Sequence, residues 1–247
     1  MDSIVASTTS ISLSEQCALQ NDCGASGQVF IVRHSERLDE VDEIKWKALG
    51  TKLVKAKGYR TRKDVLGDPP ITQGRGKDIA REAGVTLLKV FTSQTGVFTS
   101  RLIRAVETAI EIARVLKLPL YVSKGISSSA AAVRNAQKAG RSYSFESMED
   151  LRALAPDVQM FCVDVGCDID GRKCESKENI GVAPLIHKRD WVQAINDIYE
   201  YEKSAIIVAH RETIRNLANE RLLTKYCCIS KFEYDKVECN FRFKEML

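Results

Sequence analysis

The chain has 247 residues, of which 44% are hydrophobic and 28% charged, with 37 basic residues against 33 acidic ones. This length suits one α/β domain, and no apolar run reaches the roughly 18 residues of a membrane helix, so the composition excludes a membrane-spanning protein. The net charge of +4 is too small to indicate nucleic-acid binding, and the eight irregularly spaced cysteines disfavour a disulfide scaffold and predict a cytoplasmic protein.

Residues 1–27 differ in composition from the rest of the chain. They are rich in Ser and Thr and contain three acidic residues but no Lys or Arg. A secretory signal needs a basic start and a mitochondrial presequence needs arginines, so neither is indicated. We expect a disordered or loosely attached leader, followed by a single domain over 28–247. Without the leader's charge of −3, that domain carries a net +7, which attracts anionic or phosphorylated molecules.

Strand and helix signals alternate after the leader. Short β-rich runs predict strands, and runs of helix formers with one apolar face predict helices. In chain order we predict a strand over 28–33, a helix over 71–84 with Thr72 as its N-cap, a strand over 96–100, a helix to about Leu116, a strand over 118–122, a helix over 189–203, a strand over 204–209, a helix over 212–223, and a hairpin of 227–234 and 237–243. This order predicts a three-layer α/β/α sandwich with a mostly parallel central sheet and an antiparallel edge.

The segment 123–187 interrupts the alternation. It is rich in Ser, Ala and Lys, and the pattern predicts one short helix over 148–154, with Ser147 as its cap and Asp150 three residues on. A long insertion in a compact domain is usually a lid, a binding loop or partly disordered. We expect it to cap the functional site, and the alternative is a loop without a role.

Three of the predicted strands are followed by clusters of polar residues. The clusters are Arg33-His34-Ser35-Glu36-Arg37, Thr99-Ser100-Arg101 with Arg104 one helical turn later, and His210-Arg211-Glu212. Ligands of parallel sheets bind beyond the carboxyl ends of the strands, so we expect these clusters to converge. Two of the three histidines of the chain, each beside arginines, then share one site.

Histidines among arginines favour phosphoryl chemistry. Arginine pairs with phosphate oxygens in a bidentate manner and offsets their charge. Flanking arginines disfavour protonation of an imidazole, which then serves as a nucleophile near neutral pH. Attack on phosphorus gives a phosphohistidine that water hydrolyses, and a second histidine can stabilise the equatorial oxygens of the transition state.

These motifs resemble, in order and spacing, those of the histidine phosphatase superfamily, in the branch that contains the cofactor-dependent phosphoglycerate mutases. The matching segments are VFIVRHSER at 29–37, DPPIT at 68–72, FTSRLIRAVETA at 98–109 and IIVAHRETIRNL at 206–217. FESMEDLRALAPDV at 145–158 and the RHSER form of the first motif are similar to the tyrosine-phosphatase-like and steroid-phosphate phosphatase subgroup. The resemblance runs from residue 28 to the C-terminal hairpin and implies a phosphoglycerate mutase-like fold.

The resemblance implies a role for each matching residue. His34 is the phosphorylated nucleophile, and Arg33, Arg104 and His210 bind the transferred phosphoryl group. Further substrate contacts are expected from Arg37, from Ser35, which replaces the family's glycine, and from Arg211 and Ser128; for Arg211, a local ion pair with Glu212 is the alternative. The implied activity is that of a metal-independent phosphomonoesterase acting on a small or aryl phosphate ester. A phosphoglycerate mutase-type phosphomutase is a second alternative, less favoured because 37–47 lacks the Asn- and Trp-rich pattern of the mutases.

One expected catalytic group is missing from the sequence. After the strand at 118–122 the family has Gly-x-x-Glu, whose carboxyl protonates the leaving group, whereas this chain has Gly125-Ile126-Ser127-Ser128. Loss of a general acid typically lowers the rate by a factor of about 10²–10⁴. Three interpretations stay open: Glu146 or Asp150 replaces the acid, the enzyme is slow and prefers aryl or acidic leaving groups, or the protein is a pseudo-phosphatase that binds phosphorylated ligands or partners.

The remaining predictions concern partners, metals and cofactors. We expect a phosphorylated small molecule or a phosphoprotein as the substrate, no cofactor and no membrane, with a homodimer as the alternative to a monomer. The basic run at 52–63 has few aromatic residues between its charges, so nucleic-acid binding is not predicted. Cys162, Cys167, Cys174 and His187 lack the usual zinc-ligand spacing, so we expect free cysteines and no metal.

Overall fold

A computed structural model describes residues 27–57, 67–91, 96–127, 145–164, 168–169, 172–173, 191–235, 238 and 240–247. The strands in these residues are β1 (Gln28–Arg33), β2 (Val97–Ser100), β3 (Leu120–Ser123), β4 (Met160–Cys162), β5 (Asp168–Ile169), β6 (Arg172–Lys173), β7 (Ala205–Ala209), β8 (Ile229–Asp235) and β9 (Asn240–Met246). The helices are α1 (Leu38–Val41), α2 (Glu43–Lys57), α3 (Arg75–Val90), α4 (Ile103–Leu116), α5 (Met148–Ala153), α6 (Trp191–Glu202) and α7 (Arg211–Ala218).

The main sheet has the strand order β4-β3-β2-β7-β1-β8-β9. The five strands from β4 to β1 run parallel to one another, while β8 pairs antiparallel with β1 and β9 antiparallel with β8. The predicted mostly parallel sheet with an antiparallel edge is therefore confirmed. Because β1 and β7 are parallel neighbours, with Arg33 opposite Ala209, the residues that follow both strands emerge side by side.

Both faces of the sheet are covered by helices, as the three-layer prediction requires. Along β1, Phe30 and Val32 belong to a buried cluster that also contains apolar residues of α3 and α4. Val29 and Ile31 belong to a second cluster, formed with residues of α6 and α7. Because side chains alternate along a strand, the apolar residues of β1 contribute to both cores, one on each face of the sheet.

Two predicted helices differ at their ends from the observed ones. Helix α3 begins at Arg75 instead of residue 71, with Gly74 as its N-cap, and continues to Val90 instead of 84. Thr72 nevertheless performs a capping role, because its Oγ1 accepts the N–H of Gly76 at 2.7 Å. Helix α7 ends at Ala218 instead of residue 223, since Asn219 adopts the left-handed conformation, with φ of 51°, that terminates helices. The other predicted elements agree with the observed ones to within three residues at each end.

Helix α2 is absent from the sequence-based prediction. Its apolar residues do not follow one helical face: Trp46 is buried with 3% of its surface exposed, whereas Ile44 is 85% exposed. A helix without an apolar stripe gives no periodic signal. None of the helices in the described ranges has both the length and the apolar character needed to cross a membrane.

Part of the segment 123–187 lies within the α/β core. Helix α5 forms as predicted, with the Ser147 hydroxyl accepting the N–H of Asp150 at 3.0 Å. Strand β4 pairs in parallel with β3 and forms one edge of the main sheet. Most of the rest of that segment, including 128–144 and 174–190, and the leader residues 1–26 lie outside the described residues.

Candidate active site

The carboxyl ends of β1, β7 and β2 bring the three predicted polar clusters together. The strands are adjacent in the sheet in the order β2-β7-β1. The backbone N–H of His34, directly after β1, donates to the carbonyl of Ala209, the last residue of β7, at 3.0 Å. His210 follows Ala209 and is the N-cap residue of α7. The convergence expected from the strand order thus places both histidines at one edge of the sheet.

The two imidazoles face each other inside the protein. Their ring centroids are 5.4 Å apart, and the exposed fractions of His34 and His210 are 5% and 3%. Nδ1 of His34 lies 2.9 Å from the carbonyl oxygen of Ser35. A carbonyl oxygen only accepts hydrogen bonds, so Nδ1 carries the proton and Nε2 retains the lone pair. Nε2 of His34 is therefore the nitrogen able to attack an electrophile.

Both histidines are uncharged near neutral pH. Burial is the largest cause that holds the pKa of His34 well below its usual value, and the positive charge of Arg104 is the second. Burial and then Arg104 lower the pKa of His210 in the same way, and His34 contributes next. Low solvent exposure and neighbouring cations both disfavour the imidazolium form. The site thus keeps a neutral nucleophile beside fixed positive charges.

Arg104 is held beside the histidines by Asp68. Asp68 Oδ1 accepts the backbone N–H of Ile103 at 2.9 Å, at the start of α4, and lies 3.4 Å from Nη1 of Arg104. The exposed fractions of Arg104 and Asp68 are 8% and 2%. One carboxylate therefore anchors both the helix end and the guanidinium. Asp68 is the first residue of the DPPIT segment. From the sequence, this segment predicts the start of a helix but not the contact between Asp68 and Arg104.

Arg33 is held by the loop that precedes β8. Its Nη1 donates to the carbonyl of Thr224 at 2.6 Å, and its guanidinium carbon lies 4.2 Å from the centre of the Tyr226 ring. The Tyr226 ring is also 6.0 Å from the ring of His34. No sequence pattern singled out Thr224 or Tyr226, because their proximity to β1 arises only from the pairing of β8 with β1.

Two arginines that we expected to contact substrate pair with carboxylates instead. Arg37 Nε donates to Asp39 at 2.9 Å, and its Nη1 lies 3.1 Å from Glu40. Arg211 is 48% exposed and pairs with Glu212 at 3.2 Å, which is the local ion pair named as the alternative. Arg37 is nevertheless near enough to the buried imidazoles to lower the pKa of both histidines.

Ser35 is fully buried and its hydroxyl is occupied by a structural contact. Oγ donates to the carbonyl of Gly76 at 2.6 Å, and the backbone N–H donates to Thr108 Oγ1 at 2.8 Å. Ser35 thus ties the chain next to His34 to α3 and α4. These contacts fix the backbone carbonyl that orients the ring of His34.

A pair of hydroxyls extends from His210 towards the loop after β3. Nε2 of His210 lies 2.9 Å from Ser100 Oγ, which lies 3.0 Å from Ser127 Oγ. In the sequence, Ser100 belongs to the polar cluster that follows β2, whereas no pattern assigns a role to Ser127. Ser128, where the resemblance expects an acid, lies outside the described residues.

Asp150 and Glu146, the two residues considered as replacement acids, each take part in a local hydrogen-bonded contact. Asp150 accepts the hydroxyl of Ser147 at 2.8 Å and so completes the cap of α5. The backbone carbonyl of Glu146 accepts Nε and Nη2 of Arg101 at 3.1 and 2.9 Å, and Arg101 is fully buried. Arg101 therefore anchors the chain at residue 146 to the end of β2.

No cluster of three or more potential metal-ligating side chains is found within the described ranges. Cys162 is a buried cysteine on the edge strand β4. Cys167, Cys174 and His187, the other residues weighed for zinc, lie outside those ranges.

Comparisons with known proteins agree with the fold. No family model and no curated protein sequence matches the chain. The chain is similar to the ecdysone phosphate phosphatase of Bombyx mori in complex with tungstate, with 16% identity and a TM-score of 0.53 over 89% of this chain and 92% of that one. It is also similar to the protein histidine phosphatase SixA complexed with tungstate, with 16% identity and a TM-score of 0.44 over 89% and 96% of the two chains. The first of these comparisons confirms the predicted phosphoglycerate mutase-like fold.

Proposed function

We propose that the chain is a metal-independent phosphomonoesterase that forms a phosphohistidine at His34. The observation that carries the proposal is the buried pair of neutral imidazoles, 5.4 Å apart, with Nδ1 of His34 hydrogen-bonded to a carbonyl so that Nε2 is the nucleophile. Arg33 and Arg104 supply the positive charge that a phosphate dianion requires. A phosphatase of the same fold supports the general class of reaction.

In the first step, Nε2 of His34 attacks the phosphorus atom. The N–P bond forms as the P–O bond to the leaving group breaks, and the electron pair of that bond departs with the leaving oxygen. Arg33, Arg104 and His210 bind the equatorial oxygens, whose charge they stabilise without reorganising. The low pKa of His34 keeps its lone pair available throughout the neutral range.

In the second step, water attacks the phosphohistidine. The P–O bond to the water oxygen forms, the N–P bond breaks, and its electron pair returns to Nε2 of His34. The proton lost by water passes to the phosphate product or to solvent. Neutral His34 is regenerated, so the two steps together consume one water and release one inorganic phosphate.

The substrate we propose is a small phosphate ester, and an aryl ester in particular. The chain has Ser128 where the resemblance expects a carboxylic acid that protonates the leaving group. A phenolate leaves without being protonated far more readily than an alkoxide, because phenols are much stronger acids. Aryl phosphates should therefore be hydrolysed faster than alkyl phosphates at this site.

Ser128 also favours a second candidate function, that of a pseudo-phosphatase. Such a protein would use Arg33, Arg104 and the two histidines to bind a phosphorylated ligand or partner without turning it over. The phosphate-binding groups are the same in both cases, so binding alone does not separate the two functions. Turnover does.

Hydrolysis of p-nitrophenyl phosphate in the presence of a chelator tests both candidates. Wild-type protein should release phosphate, His34→Ala should not, and His187→Ala is the matched control because it removes the histidine outside the strand-end clusters. Phosphate release that is unaffected by His34→Ala would rule out His34 as the nucleophile. Binding of vanadate by calorimetry without any turnover would select the pseudo-phosphatase.

A further inference from the structure

We propose that Tyr226 is a positioning residue for the phosphate-binding guanidinium of Arg33. This inference rests on the proposed function, since it concerns the same phosphoryl site. The ring of Tyr226 covers one face of the guanidinium, with 4.2 Å between the guanidinium carbon and the ring centre. The carbonyl of Thr224, two residues earlier in the same loop, accepts Nη1 of Arg33 at 2.6 Å. One contact restrains the guanidinium in its plane and the other restrains it across that plane.

These two partners of Arg33 are electrically neutral, which distinguishes Arg33 from its neighbours. Arg37 pairs with Asp39 and Glu40, and Arg211 pairs with Glu212. A carboxylate partner fixes a guanidinium but cancels most of the charge that a phosphate would use. A carbonyl and an aromatic ring fix it while leaving its charge available to a dianion. Neutral restraint therefore leaves Arg33 with more of its charge for a phosphate than Arg104, whose guanidinium lies 3.4 Å from the carboxylate of Asp68.

Tyr226 is itself restrained from the opposite side. Its hydroxyl donates to Glu40 of α1, and the other oxygen of that carboxylate pairs with Arg37 at 3.1 Å. The backbone adds two bonds, from the N–H of Cys227 to the carbonyl of Arg33 and from the N–H of Arg33 to the carbonyl of Cys228, both at 3.1 Å. The ring is thus held against Arg33 by both of its ends.

The Tyr226 ring also lies near the imidazole ring of His34. Its centre is 6.0 Å from the centre of the His34 ring. Arg33 is the last residue of β1 and directly precedes His34. A change in the Tyr226 side chain should therefore act on phosphate binding through Arg33 while leaving the hydrogen bond from His34 Nδ1 to Ser35 intact. We expect an effect mainly on KM and on vanadate affinity, with a smaller effect on kcat.

Two substitutions separate the ring from the hydroxyl. Tyr226→Leu removes the aromatic face and should weaken vanadate binding and raise KM by a factor of about 3–30. Tyr226→Phe keeps the face and should stay within a factor of about 3 of wild type, since it loses only an exposed hydrogen bond. Tyr234→Leu is the matched control, because Tyr234 lies on β8 and stacks on Tyr199 at 4.5 Å, away from both histidines. It should lower stability without changing vanadate affinity.

The experiment is calorimetric titration of vanadate into wild type, the three tyrosine variants, Arg33→Ala, and Arg33→Ala combined with Tyr226→Leu. The expected result is weaker binding in Tyr226→Leu, near-normal binding in Tyr226→Phe, and no further loss from Tyr226→Leu once Arg33 is removed. Equal vanadate affinity in wild type and Tyr226→Leu would overturn the positioning role while leaving the proposed function standing. The expected affinities in a protein that hydrolyses no ester would support the positioning role and overturn the phosphatase. Wild type that binds no vanadate would overturn both.

Discussion

The rings of His34 and His210 lie 5.4 Å apart, although 176 positions separate these residues in the chain. Parallel pairing of β1 with β7 brings them together, because Arg33 and Ala209 are opposite each other at the strand ends. A phosphoryl group between them would meet a nucleophile on one side and a neutral donor on the other.

The first prediction concerns the charge of the two imidazoles. Burial and Arg104 lower the pKa of both His34 and His210 well below the usual value. The chain has three histidines, so their ring proton signals can be followed individually by NMR. We expect two of the three to remain unprotonated as the pH falls through about 6.5, the ordinary histidine pKa. If all three titrate near that pH, the nucleophile is not preorganised as described.

The same shift predicts how stability depends on pH. In the unfolded chain His34 and His210 bind protons below about pH 6.5, while in the folded protein they do not. The unfolded state then binds more protons, so these groups make the free energy of unfolding decrease as the pH falls below that value. Urea denaturation of wild type and His210→Asn across this range measures the difference. A His210→Asn variant with an unchanged slope in this range would argue against a buried neutral His210.

A second prediction concerns Asp68, which anchors Arg104. Asp68→Asn retains a side-chain carbonyl for the N–H of Ile103 but removes the charge that faces Arg104. The buried guanidinium then loses its ion-pair partner, and we expect a loss of about 1–3 kcal/mol in the free energy of unfolding. Vanadate binding should weaken as well, because Arg104 is less well positioned. Urea denaturation and calorimetry measure the two effects, and stability equal to wild type would show that the pair is not an anchor.

A third prediction concerns the two carboxylates that hold Arg37. Asp39→Asn weakens the ion pair with Arg37 and should make its guanidinium more available to substrate, so phosphate affinity should rise by a factor of about 2–5. Glu212→Gln is the control, since it weakens the more exposed ion pair of Arg211. Equal changes in both variants would reflect general electrostatics, and no change in Asp39→Asn would remove Arg37 from the list of substrate contacts.

A fourth prediction concerns Glu107, a carboxyl of α4 that accepts the N–H of Ile71 at 2.7 Å. Burial raises the pKa of Glu107 to about 7. Between the unfolded value near 4.5 and about 7 the folded state binds more protons, so this group makes stability decrease as the pH rises, by up to about 3 kcal/mol. Glu107→Gln keeps an acceptor for Ile71 and should be more stable than wild type at about pH 8 but not at about pH 4. The same difference in the free energy of unfolding between wild type and Glu107→Gln at both pH values would contradict a raised pKa for Glu107.

A fifth prediction concerns the missing acid. Ser128→Glu restores a carboxyl at the position where the resemblance expects one and should raise turnover of alkyl phosphates by a factor of about 10–100. Aryl phosphates should gain little, because their leaving groups need no proton. Ser127→Glu is the matched control, since it alters the neighbouring serine, which contacts Ser100. Equal gains for both classes of ester would show that the acid is not what limits the reaction.

Much of this architecture was predictable from the sequence. Apolar runs at β1, β2 and β7, each followed by charged residues, carry a strong local signal, and the parallel order follows from the intervening helices. The same patterns predict a site that contains His34, His210 and Arg104, and the fold brings these three residues to one edge of the sheet. Helix α3 was predicted, but its start was misplaced because Thr72 caps the helix from two residues before the N-cap.

Contacts between distant segments were not predictable in the same way. The pairing of Tyr226 with Arg33 depends on the antiparallel packing of β8 against β1, which no local pattern encodes. Likewise, Arg101 and Arg104 occur in one motif, yet one anchors the chain at Glu146 and the other lies beside the histidines. Residue type and spacing identified the arginines, but only the tertiary packing assigns each one its partner.

The most direct test of the account is to trap the phosphorylated protein. Wild type and His34→Ala are mixed with a radiolabelled aryl phosphate, quenched within milliseconds under alkaline conditions, and mapped by peptide. If His34 is the nucleophile, wild type should carry an alkali-stable, acid-labile label on the peptide that contains His34, and His34→Ala should carry no label. A label on any other residue, or undiminished phosphate release by His34→Ala, would contradict it.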